Sequence, residues 1–119
     1  MSKATFERIL LWIAITFAVV MATLPKPPKI YLDQFGDKFE HMLAFSVIAL
    51  LAAIAYPKVR LTRIAERLSF LGALIEIAQS VPALHRDCNI FDWVADTGAI
   101  IVVLTIVALV RWQRRPSLA

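Results

Sequence analysis

The chain holds one cysteine, three glycines and two histidines in 119 residues. A lone Cys88 excludes an intrachain disulfide, and without a CxxC partner it offers no zinc site. It reads as a neutral loop residue. So few glycines exclude a low-complexity chain. Only 18% of the residues are charged, whereas 60% are hydrophobic and the mean hydropathy is +0.71. Soluble domains lie nearer ~45–50% apolar, so this balance describes a chain held mostly in lipid. The net charge of +4 does not point to nucleic acid, because the basic residues stand at the ends of apolar runs, where they set orientation in a bilayer. No repeat, linker or second domain interrupts residues 1–119.

Four apolar runs predict an all-α, polytopic membrane protein: a bundle of four transmembrane helices at about 9–24, 39–56, 68–84 and 93–112. The first run, at ~1.5 Å per residue, reaches ~24 Å, enough for a thin bilayer. Its basic start and the Val20-x-Ala22 step also fit a signal peptide, the competing reading. Pro25, Pro27 and Pro28 stop this helix, and Pro57 closes the second. Residues 58–67 (KVRLTRIAER) read as an amphipathic basic stretch at headgroup level. In the third span one face carries Gly72, Glu76, Gln79 and Ala83, and the other carries Leu74, Ile77 and Val81. Pro82 bends or ends it. Asn89 or Asp92 suits the N-cap of the fourth helix.

Orientation follows from the basic residues. Residues 1–8, 57–67 and 111–119 carry nine Lys and Arg, against four in 25–38 and 85–92. Positive-inside asymmetry then places both termini in the cytoplasm. Trp93 at one interface, with Tyr56 and Trp112 at the other, fits an aromatic belt.

The stretch 71–98 (LGALIEIAQSVPALHRDCNIFDWVADTG) organises the rest. Glu76, Gln79, Asp92 and Asp96 interrupt helices bound for lipid, where a central charge costs ~2.5–3.5 kcal/mol. They need partners. Asp37 and His41, four apart, share a face of the second helix, and Lys38, His85 and Arg86 add positive charge on the same side. Three helices and one loop thus deliver polar groups to one leaflet. The expected arrangement is a polar pocket open outward and closed below by apolar packing. A cross-helix network, pairing Glu76 with His41 or Arg86 and Asp92 with Arg86 or Lys38, is the purely structural alternative. Interhelical polar contacts return only ~0.6 kcal/mol each on average, a small gain for burying several charges. His41, Asp37, Glu76 and Asp92 contain the N and O donors a metal takes, but no HExxH spacing supports a site and Lys38 and Arg86 would repel a cation. No metal and no cofactor are expected. Glu76 and His41 are the candidates for general acid–base work.

Taken in order, Asp37-Lys38-x-x-His41, Gly72-x-x-x-Glu76-x-x-Gln79, Pro82, Arg86, Asp92 and Asp96-x-Gly98 resemble the VanZ-like membrane proteins over about residues 35–100. Asp96 stands where that family more often has Asn, and the turn VPALHRDCN is longer and poorer in glycine. The resemblance implies a minimal bacterial inner-membrane protein with a cell-envelope or glycopeptide-resistance role, and it brings no mechanism with it. The ligand-binding set expected is Asp37, Lys38, His41, Glu76, Gln79, Arg86, Asp92 and Asp96. The expected partner is a membrane lipid or lipid-linked envelope precursor whose phosphate or carboxylate meets Arg86, Lys38 and His85. The competing readings are an enzyme acting on that head group, a proton-coupled pore built from an oligomer, and a partner-binding scaffold. The fourth span is apolar from Ile100 to Val110 apart from Thr105, which disfavours a path through the membrane.

Overall fold

A computed structural model describes residues 1–24, 33–84 and 90–116, and the side chains of 33–38 and 84 fall outside that description. Among the described residues the chain forms four α-helices, one short 3-10 helix and no strand: α1 (Lys3–Thr23), α2 (Asp33–Ala55), α3 (Leu61–Gln79), the 3-10 turn Pro82–Leu84 and α4 (Ile90–Gln113). Each α-helix begins before the apolar run that predicts it, and α1, α2 and α3 also end before theirs does. Ser2 accepts a hydrogen bond from the Thr5 N–H at 3.1 Å, so α1 starts at its N-cap rather than at the first apolar residue.

The third helix is the clearest departure from the sequence expectation of 68–84. It begins at Leu61, so most of the basic stretch is its first two turns and not a separate headgroup element. Ile64 and Leu68 are buried there while Arg63, Glu66 and Arg67 are exposed, which preserves the amphipathic pattern inside one continuous helix. At its other end α3 stops at Gln79, and the chain tightens through Ser80 N–H to Ile77 O and Val81 N–H to Ala78 O. Pro82 lacks an N–H and disfavours helical backbone at Val81, so the helix ends before the proline. Asp92 lies in the first turn of α4, not at its N-cap; Asn89 lies outside the described residues.

The helices run up, down, up, down, and α2 packs against all three others. Its inner stripe is built from small residues: Ala49, Ala52, Ala53 and Ala55 are all buried beside Phe45 and Ile48. Small residues let neighbouring helices approach closely. Ile100 and Leu104 of α4 and Leu68 and Ile75 of α3 fill the space opposite. Gly72 sits where α3 meets both α2 and α4. A Cβ there would stand 3.4 Å from Trp93 Cδ1 and 3.5 Å from Phe45 Cζ, so α2 and α4 both press on α3 at this level. Trp93 is turned into this packing, and its indole N–H donates to Ser69 O at 2.9 Å. It therefore links α4 to α3. The Ser69 and Thr97 hydroxyls, 2.9 Å apart, add a second link between the same helices.

The outside of the bundle is apolar. Phe17, Phe39, Phe70 and Phe91, on four different helices, are each about two-thirds exposed. α1 and α4 are long and apolar enough to cross a membrane, and α2 contributes a 17-residue apolar segment, Phe39–Ala55. Few residues of α1 and α4 are buried: Leu11 and Ala22 in the first, and Asp96, Ile100 and Leu104 in the second. A long apolar helix in a water-soluble fold would form the buried centre, whereas these two present most of their surface outward.

Candidate functional site

The end of the bundle where α1 and α3 finish and α2 and α4 begin gathers the polar residues. The burial stripes bring them there. On α3 the stripe Leu68, Gly72, Ile75 continues into Glu76 and Gln79. On α4 the stripe Leu104, Ile100 continues back into Asp96. On α2 the positions Ile48 and Phe45 continue back to His41, which is half-buried. A helix that buries an apolar stripe must carry the next residues of that stripe inward too.

The polar side chains are deeply enclosed. Glu76 is 7% exposed, Gln79 4% and Asp96 2%. Gln79 spends one donor on structure: its Nε2 donates to Ala22 O at 2.9 Å, tying the end of α3 to the end of α1. That satisfies a carbonyl in the last turn of α1, where intrahelical partners run out. Asp92 is half-buried in the first turn of α4, where a carboxylate is favoured by the helix dipole. The predicted two-faced character of the third helix holds through Gln79, with Leu74, Ile77 and Val81 exposed. Ala83, expected on the packed face, is exposed in the 3-10 turn.

Asp37 and Lys38 belong to α2, and Asp37 is one helical turn before His41 on the same face; their side chains lie outside the description. His85, Arg86, Asp87 and Cys88 lie outside the described residues. Among the described residues, no group of three or more His, Cys, Asp or Glu side chains is disposed to hold a metal ion.

A cleft of about 620 Å³ opens between α1 and α2 at this end. Its walls include Phe17, Ala18, Met21 and Ala44, and its polar residues are Glu40 and His41. The volume is in the range that takes a small ligand or part of a larger one. Of the predicted site residues, His41 lines this cleft, whereas Glu76, Gln79 and Asp96 do not. Glu40 was not among the expected residues. Its position beside His41 was visible in the sequence, but α1 as the opposite wall was not. Compared with known protein families, curated proteins and solved structures, the chain matches none.

Proposed function

We propose that this chain is a VanZ-like protein of the bacterial inner membrane, with four spans and both termini in the cytoplasm, that binds an anionic amphiphilic envelope molecule at its outward end. One observation carries the reading: the α1–α2 cleft has apolar walls and a polar end at Glu40 and His41. An amphiphile needs that division, with its chain against Phe17 and Met21 and its head near His41. The sequence adds Lys38 just before His41 and Arg86 after α3, the charges that would hold a phosphate or carboxylate. The buried Glu76, Gln79 and Asp96 lie at the same end of the bundle without lining the cleft. As a span, α1 is favoured over a cleaved leader by its bonds to the rest of the bundle, from Gln79 to Ala22 O and from Arg8 to Ala55 O.

Native mass spectrometry of the gently purified protein tests the reading. Wild type should retain a specific anionic envelope lipid. Arg86→Ala, which removes charge at the head, and Ala44→Trp, which fills the cleft, should both lose it. Unchanged retention in both variants, or no retained lipid in any form, would overturn the proposal.

A second reading has its own observation. The Gln79–Ala22 bond is a structural use of a predicted ligand-binding residue, and it favours a polar network whose work is to hold the helices together. Under that reading, substitutions at Gln79 change stability and leave lipid retention alone.

A further inference from the structure

The opposite end of the bundle carries a second cavity with different chemistry. About 630 Å³ in volume, it lies between the start of α1 and the turn after α2. Lys3, Arg8 and Lys58 line it with Glu7 as the one acid, over a wall that includes Tyr56 and Pro57. Three cations against one carboxylate leave a local charge of +2.

Arg8 is held in place. Its Nε donates to Ala55 O at 3.4 Å, and its guanidinium carbon stands 4.6 Å from the centre of the Tyr56 ring. Only one of the five N–H donors of a guanidinium is used in that bond. The negative end of α2, which would repel an anion, is covered. Arg8 bonds the Ala55 carbonyl, and Arg111 bonds the Ala53 carbonyl at 2.8 Å. Trp12 donates from its indole N–H to the Tyr56 hydroxyl at 3.3 Å. Paired Trp and Tyr beside Arg and Lys are the residue types that settle at the headgroup level of a bilayer. Exposed apolar surface continues directly from the cavity along α1, through Ile9 and Ile13, where acyl chains would lie.

We infer that this cavity is a binding site for the phosphate head group of an anionic phospholipid, distinct from the His41 cleft. Arg8 makes the fixed contact and Lys3 and Lys58 supply mobile charge. Basic pockets at the ends of membrane helices select anionic head groups in this way. The inference rests on the membrane-embedded reading but not on any ligand at the other end.

The test uses the full chain in mild detergent, titrated with short-chain phosphatidylglycerol and, separately, phosphatidylethanolamine, with bound lipid counted by native mass spectrometry. Lys3 and Lys58 are exposed and make no hydrogen bond among the described contacts, so the Lys3→Gln/Lys58→Gln double variant keeps the fold. It should bind phosphatidylglycerol about thirtyfold more weakly, about fivefold per lysine. Phosphatidylethanolamine binding should not change, and an Arg63→Gln/Arg67→Gln variant, which removes two exposed cations outside the cavity, should stay within threefold of wild type for phosphatidylglycerol. A loss under threefold in the double variant, an equal loss for phosphatidylethanolamine, or the same loss in Arg63→Gln/Arg67→Gln would overturn the assignment.

Discussion

The two ends of the bundle treat polar groups in opposite ways. At the His41 end the polar side chains are taken inside: Glu76, Gln79 and Asp96 are buried as fully as the leucines and isoleucines beside them. At the Arg8 end the polar groups start at the surface and reach back, with Arg8 and Arg111 meeting the last carbonyls of α2. The difference lies in side-chain length. Arg can cover apolar surface with its stem and keep its charge at the edge, whereas Glu, Gln and Asp are too short and must carry their polar atoms inward with the helix. An enclosed group must find its partners within the protein, and its geometry is then fixed. A reaching group keeps partners outside the bundle as alternatives. The His41 end should therefore be sensitive to substitution, and the Arg8 end tolerant.

The sharpest way to break this comparison is at the packing that closes off the enclosed end. Gly72 lies one turn below Glu76, pressed by Trp93 and Phe45. Gly72→Leu should cost about 1–3 kcal/mol or more through overpacking, read as a lowered unfolding midpoint in detergent. Gly72→Ala is the control. Its Cβ would make ordinary contacts at 3.4 and 3.5 Å, so it should stay close to wild type. If leucine is as well tolerated as alanine, the enclosed end is looser than its burial implies.

Gln79→Leu is the next largest. It removes the donor to Ala22 O and leaves a polar carbonyl facing an apolar side chain. The expected loss is about 1–2 kcal/mol, measured by the same unfolding assay. It also sharpens the choice of function. Lost stability with retained lipid supports the structural network, and lost lipid with little change in stability supports the site.

Much of this was legible from periodicity. The split of the third helix into a packed face with Gly72, Glu76 and Gln79 and an exposed face with Leu74 and Ile77 follows from the 3.6-residue repeat, and the burial agrees. On α2 the same repeat carries His41 and Ala44, both half-buried, and Ile48, buried. Contacts between distant residues were not legible. Gln79 with Ala22 is separated by 57 positions and Trp93 with Ser69 by 24, and no local pattern pairs them. The packing of Trp93 on Gly72 was not legible either, because a tryptophan near a helix end suggests no particular partner. The start of α3 was not legible because a basic amphipathic stretch fits a separate headgroup-level element as well as the first turns of a longer helix. Arg63, Glu66 and Arg67 instead occupy the outward side of a helix whose inward side is Ile64 and Leu68.

The smallest effect is expected at the tolerant end. α2 has no basic residue in its own last turn, although a cation there is favoured by the helix dipole. Arg111 from α4 and Arg8 from α1 supply it from neighbouring helices. Removing one should leave the other in place. Arg111→Ala should therefore cost only about 0.3–1 kcal/mol, with most of the loss recovered in Arg111→Lys, because the point charge matters more than the fork. Arg111 is half-buried, so the effect should shrink only in part as salt is raised. Unfolding midpoints for wild type and both variants at low and high salt measure this. A loss for Arg111→Ala exceeding that for Gln79→Leu, and unchanged by salt, would mean that the arginine is as structurally enclosed as the polar groups at the far end, and the contrast between the two ends would fail.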